Sequence, residues 1–163
     1  MKTDIHGANG LVRLTDLTPS SRAAVTSVAA EPMDSPAWVP TKPAHARTVA
    51  FVSSAGLGMR GDPPFRGGDS GYRSIGHRVD AADILMSHVS VNYDRTGFQL
   101  DLETILPRRR LDELVAAGVV GAAADEHYSF MGATDPKAME AKAQELAQAM
   151  LAKGVDTAVL LPV

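Results

Sequence analysis

Two runs constrain this chain more than anything else in it. Thr48-Val-Ala-Phe-Val-Ser53 and Val155-Asp-Thr-Ala-Val-Leu-Leu161 are nearly all apolar, and their apolar residues do not alternate with polar ones. A strand with one wet face alternates; a strand covered on both faces does not. Both runs therefore predict buried strands of a parallel sheet. Parallel neighbours cannot be joined by a tight turn and need helical crossovers, and the sequence between the runs supplies them. In Arg108–Ala117, Leu111, Leu114 and Val115 share one helical face, with Gly118 just past the end. A longer helix follows: Thr134 or Asp135 caps it and Pro136 suits its first position. Met139, Ala143, Leu146 and Met150 recur at helical spacing, and Gly154 ends it. Asp83–Val91 predicts a further strand, Val119–Ala124 a small apolar strand or turn, and Thr96–Leu106 a short helix closed by Pro107. The expected fold is α/β: an open, mainly parallel sheet with flanking helices, a Rossmann- or flavodoxin-like half.

The length of 163 residues suits one such domain over residues 47–163. Residues 1–46 hold Pro19, Pro32, Pro36, Pro40 and Pro43 and no sustained periodicity. They are expected to form an irregular N-terminal arm, with a short helix around Ser21–Ala30 and with Trp38 and Val39 as its anchor on the domain. Sixteen basic and nineteen acidic residues leave a net charge of −3, which supplies no positive field for nucleic acid or an anionic membrane. No apolar segment reaches the ~20 residues of a spanning helix, and no apolar core of a signal peptide follows Lys2. A soluble cytoplasmic protein is expected. Cysteine is absent, which removes thiolate nucleophiles, redox pairs and Cys-ligated metals from the chain's own chemistry.

Residues 54–76 carry seven glycines and the Pro63–Pro64 pair, and no regular element is expected there. Gly56-Leu-Gly-Met-Arg-Gly61 follows a strand as a dinucleotide fingerprint would. The prolines, however, block the helix whose N-terminus would hold a pyrophosphate. In Gly67-Gly-Asp-Ser-Gly-Tyr-Arg73, the acceptor of Asp69, the hydroxyl of Tyr72 and the guanidinium of Arg73 can hold a small zwitterion, Arg73 forking its carboxylate. Alternatively, Asp69 and Arg73 pair and staple the loop. His88, at a predicted strand end, and His127, in a predicted loop before the long helix, suit substrate orientation or proton transfer. A structural, hydrogen-bonded role is the other option. With Asp94 and Asp101 they lack any HxH or HExxH spacing, so no metal site is expected. Arg108-Arg-Arg110 sets three positive charges against the dipole at a helix start. This marks either a solvated helix end or contact with an acidic partner.

Taken in order, Pro36-Ala-Trp38, Thr48–Gly56, Pro63-Pro-Phe65, Gly68-Asp-Ser-Gly-Tyr-Arg73, Ser87-His88, Leu106-Pro107, Arg110-Leu-Asp-Glu-Leu114, His127-Tyr-Ser-Phe-Met-Gly132 and Gly154–Val163 form a recognisable set. Over residues 36–163 the chain resembles the N-terminal part of the selenoprotein B family, the substrate-binding components of glycine, sarcosine, betaine and D-proline reductases. In that family the strand matching Val155–Val163 leads into a selenocysteine or cysteine. The resemblance implies an oxidoreductase in which a selenol or thiol attacks the α-carbon of an amino-acid-derived substrate and the amine leaves, with a disulfide as the acceptor form. It further implies a companion subunit whose pyruvoyl group activates the substrate. His88 and His127 are the implied catalytic residues; Asp69, Tyr72 and Arg73 are the implied substrate-binding residues. The chain ends before the redox residue, so it is expected to be truncated at its last strand, by a selenocysteine codon read as stop or by a domain break, and inactive alone. Val89–Thr96 is also less acidic and less His-rich than in the better-known reductases, which leaves the substrate open. The expected partners are a small amino-acid-derived substrate and either a reductase subunit or a second copy. A non-catalytic module that binds a small ligand or pairs with another subunit is the alternative.

Overall fold

The computed structural model describes residues 13–27, 39–90 and 95–163, and the chain divides into two compact units, Met1–Pro40 and Thr41–Val163. In the first, α1 spans Pro19–Thr26. Pro19 suits its first turn, and the Thr18 hydroxyl accepts the amide of Ser21 at 3.2 Å. Arg22 fastens the helix to the turn before it by donating to the carbonyls of Leu14 (2.8 Å) and Thr15 (3.0 Å). The helix therefore begins earlier than Ser21. Residues 28–30 of the expected span and the expected anchor Trp38 lie outside the described residues, and Val39, the other expected anchor, is 72% exposed.

The second unit runs β1 (Thr48–Ser53), β2 (Leu57–Met59), β3 (Tyr72–Gly76), β4 (Ile84–Met86), α2 (Thr96–Leu100), α3 (Arg108–Ala116), β5 (Ala122–Ala123), β6 (Glu126–Phe130), α4 (Pro136–Ala152) and β7 (Thr157–Leu161). β1 is the central strand. β7 lies parallel to it on one side, and β5 and then β6 lie parallel to it on the other. β3 adds antiparallel to the outside of β6. β2 and β4 form a separate two-stranded antiparallel sheet. The fold is α/β with an open, mostly parallel mixed sheet flanked by helices, in a Rossmann- or flavodoxin-like arrangement.

Alternation along β1 divides the core in two. Val49 and Phe51 pack with Leu57, Ile75, Ile84, Leu106 and Leu111 on the α3 face. Ala50 packs with Tyr128, Phe130, Leu146 and Val155 on the α4 face. The two helices follow their sequence signals: Gly118 (φ 70°) and Gly154 (φ 75°) stand past their ends in the left-handed region, and Asp135 caps α4.

Four expectations need correction. Residues 54–76 do contain regular structure, β2 and β3, because pairing with β4 and β6 supplies what local propensity does not. Asp83–Val91 narrows to Ile84–Met86 and joins β2 instead of the main sheet. The segment holding His127 is no loop: Glu126–Phe130 is a strand between β1 and β3. β7 is parallel as expected but not buried, since among the described residues β1 is its one neighbour and Leu160 is 72% exposed.

The arginine triplet at the start of α3 is also resolved. The Glu103 carboxylate accepts the amides of Arg109 (3.0 Å) and Arg110 (3.2 Å), placing negative charge on the helix N-terminus. Arg108 turns inward and donates to the carbonyls of Gly76, His77 and Val79 at 2.9–3.1 Å, while Arg110 pairs with Glu113 at 2.8 Å. Replacing Glu103 by Ala is expected to lower stability by about 1 kcal/mol, as loss of an N-terminal cap does, measured by urea unfolding. An unchanged midpoint would mean that the cap contributes nothing.

Candidate functional site

In open α/β sheets ligands gather beyond the carboxyl ends of the parallel strands. Here the ends of β1, β6 and β7 are tied together at Ser54. Its hydroxyl accepts the amide of Val163 (2.8 Å), its amide donates to Leu161 (3.1 Å), and its carbonyl accepts the amide of Gly132 (2.9 Å). Gly132 sits so close that a Cβ there would lie 2.7 Å from the Ser54 carbonyl oxygen. Beneath this edge the buried Ser129 hydroxyl donates to Ser53 (3.1 Å) and accepts the amide of Leu57 (2.9 Å). It thus fixes the turn through Gly56, whose φ of 66° suits glycine.

The glycine-rich loop folds over the same end. The Thr134 hydroxyl donates to the Asp69 carbonyl at 2.9 Å. The Asp69 carboxylate accepts the amide of Gly71 (2.9 Å) and the Arg73 guanidinium (3.0 Å), so the expected staple forms. All three guanidinium nitrogens of Arg73 donate to protein acceptors, the others being the carbonyls of Pro63 and Tyr72. The guanidinium also lies over the Phe65 ring, 4.2 Å from its centre. Arg73, Phe65, Asp62 and Ser87 line a cleft of about 210 Å³.

Tyr72 does not join this group. Side chains alternate along β3, which sends Tyr72 to the α4 face, where its hydroxyl donates to Glu145 at 3.4 Å. Burial and the nearby Glu145 carboxylate push the phenol pKa up.

His88 stands beside the turn through Gly56, where a Cβ would come within 3.1 Å of the His88 Cα. The ring is buried, and its Nδ1 accepts the amide of Ser90 at 3.2 Å. Burial and the Arg95 guanidinium hold its pKa below the usual value, so the ring is neutral near pH 7. Asp101 caps the turn that follows α2 by accepting the amide of Glu103 at 3.0 Å, and Asp94 lies outside the described residues. Among the described residues no three His, Asp or Glu side chains gather as a metal ion would need.

His127 lies inside the sheet and does not share this edge. Val49 to Val52 of β1 is matched against Ala123 to Tyr128, a longer stretch, so the ladder breaks between β5 and β6. Phe51 faces the break, and its amide donates to His127 Nδ1 at 3.1 Å. His127 Nε2 meets His77 Nδ1 at 2.8 Å, and His77 Nε2 meets Asp112 Oδ1 at 2.9 Å. Arg78 holds the other oxygen of Asp112 at 2.7 Å. His77 and Asp112 carry no sequence signal for this role. One lies in a turn and the other on a helix, and only the packing of α3 against the sheet joins them.

The chain matches no protein-family model, no curated protein and no solved structure. Among the described residues no helix is long and apolar enough to cross a membrane.

The close approach at Gly132 predicts that Gly132→Ala destabilises the protein by about 1–3 kcal/mol through overpacking. Gly97→Ala, whose Cβ would meet nothing within 4 Å, is the control and is expected to change stability by less than ~1 kcal/mol. Urea unfolding of the pair tests this; equal midpoints would mean that the edge relaxes freely.

Proposed function

We propose that the chain is the substrate-binding component of a reductase system of the glycine, sarcosine, betaine or D-proline type, holding an amino-acid-derived substrate at the carboxyl edge of its sheet. The observation that carries this reading is the gathering at that edge of the Asp69–Arg73 loop, His88, the turn through Gly56 and the Ser54–Val163 tie. A carboxylate arriving there competes with Asp69 for the Arg73 fork, which suits charge-assisted recognition of a small zwitterion. Neutral His88 beside the turn suits orienting a substrate or passing a proton. His127 has both ring nitrogens engaged inside the sheet, so its part in such a site is to support β6.

The chain has no cysteine. The selenol or thiol that displaces the amine therefore comes from outside these residues. In the displacement the sulfur or selenium bonds to the α-carbon, and the C–N pair leaves with the amine, which takes a proton. A second thiolate then attacks the sulfur or selenium, the carbon leaves with the C–S or C–Se pair and takes a proton, and the disulfide or selenosulfide formed is the oxidised product that balances the reduction. A pyruvoyl group on a companion subunit would activate the amine for departure. The expected location is the cytoplasm.

Titration of the isotope-labelled protein with glycine, sarcosine, betaine and D-proline tests the reading. One of the four is expected to shift the resonances of Ser54, Gly56, Asp69–Arg73, His88 and Gly132, and Arg73→Gln to weaken that binding about tenfold or more, the loss of ~1.4 kcal/mol or more. Absence of any shift at concentrations above ~1 mM, the upper range of enzyme KM values, sinks it.

A second reading, a non-catalytic subunit-pairing module, is favoured by β7. Its outer edge is unpaired among the described residues, and Val159 (38%) and Leu160 (72%) are exposed. Uncharged edge strands of this kind pair readily with another chain. Sedimentation is expected to show association that Leu160→Lys abolishes; a monomer at all concentrations removes self-pairing.

A further inference from the structure

We propose that the chain Phe51–His127–His77–Asp112 is an acid-sensitive latch, fastening α3 to the sheet while both imidazoles are neutral and letting go when the His127 ring takes a second proton. Its direction is set at one end. The Phe51 amide can only donate, so His127 Nδ1 must accept and its proton must sit on Nε2. That proton then points at His77 Nδ1 across 2.8 Å, which leaves the His77 proton on Nε2, directed at Asp112. No lone pair of either ring is left over.

A further proton can enter only at an Nδ1 already in use. On His77 it would oppose the His127 Nε2–H across 2.8 Å. On His127 it would oppose the Phe51 amide across 3.1 Å. One donor must then withdraw, and the withdrawn group is buried: His127 is 0% and His77 7% exposed. The surroundings offer a cation on His127 little support. From α3 come the Asp112 carboxylate, which bonds the His77 ring and not the His127 ring, and the Arg108 guanidinium bonded to the His77 carbonyl. From the turn after β3 come Arg78, engaged with Asp112, and Asp80, which acts on Arg108 together with Glu103. Asp125, before β6, presents its carbonyl to the His77 amide. Phe51 and Ser129, the neighbours from β1 and β6, bring no charge.

Burial first, then the His77 ring and Arg108, lower the pKa of His127 from 6.5 to about 3. The folded pKa lies below the unfolded one, so between these values the unfolded chain binds the extra proton. Stability is therefore complete above pH 6.5 and falls as pH drops towards 3. One such proton raises the unfolding constant by up to about tenfold per pH unit.

The test pairs spectroscopy on the native protein with a non-titrating variant. At neutral pH the ring nitrogens of His77 and His127 are expected to report protons on both Nε2 atoms. Between neutrality and about pH 5, where carboxylates are still charged, protection of the Phe51 amide and of the α3 amides is expected to fall several-fold relative to those of β7, after correction for intrinsic exchange. In the double variant His77→Gln and His127→Asn, whose amides can accept and donate without titrating, the unfolding constant should rise less steeply towards pH 5 than in the wild type, the slope contributed by buried His88 remaining. An Nδ1–H tautomer in either ring, unchanged protection at about pH 5, or a variant that keeps the wild-type pH slope would each overturn the proposal. If the double variant does not fold, the tautomers and the exchange of the native protein decide.

Discussion

The central strand must satisfy every backbone donor and acceptor without water, and the rest of the domain is arranged around that requirement. β1 has parallel neighbours on both sides, but on one side its neighbour is broken between β5 and β6. The amide left facing the break, that of Phe51, is taken by an imidazole and not by a carbonyl. That substitution draws a second histidine, an aspartate from α3 and Arg78 into one chain. A buried polar network of this kind is stabilising when complete and costly when partly satisfied. The loop before β6 and the docking of α3 are therefore coupled through one hydrogen bond of the central strand.

The same strand organises the opposite end of the sheet differently. There the groups are hydroxyls and glycines: Ser54 tying β1 to Val163, Ser129 bridging Ser53 and Leu57, and Gly132 admitted only because it has no Cβ. Short hydroxyl side chains and a missing Cβ let the strand ends approach one another closely. The Asp69–Arg73 staple and His88 stand beside this edge, so its polar residues with chemical capacity lie on turns and loops held by a rigid frame. The two ends of the sheet thus divide their tasks, with polar interlocking at the start of β6 and an open edge at the ends of the strands.

Residues suggested by their neighbourhood in sequence sorted according to backbone period. Asp69 and Arg73 were legible as a pair because a glycine turn brings them together locally. Tyr72, one residue away from Arg73, was not, because β3 turned out to be a strand and successive side chains leave on opposite faces. Glu126-His-Tyr-Ser-Phe130 has the composition of a loop. It is a strand because its buried His127 and Ser129 side chains are satisfied by partners far away in sequence. His77 and Asp112 gave no signal, since a lone histidine in a turn and a lone aspartate on a helix are ordinary surface residues until α3 is docked.

What the chain determined locally was therefore its helices and its central strand. Proline, a capping aspartate, spaced apolar residues and terminal glycines act within a few residues of one another, and a continuous apolar run demands cover on both faces. Tertiary structure decided the rest. It made strands of residues 57–59, 72–76 and 126–130, left β7 with one neighbour among the described residues although its composition matches that of a buried strand, and turned Arg108 from a charge opposing a dipole into a clamp on three carbonyls. The physical reason is range. Helix signals are contacts between near neighbours, whereas strand pairing, and the satisfaction of a buried histidine or arginine, depend on partners that only the finished fold brings into reach.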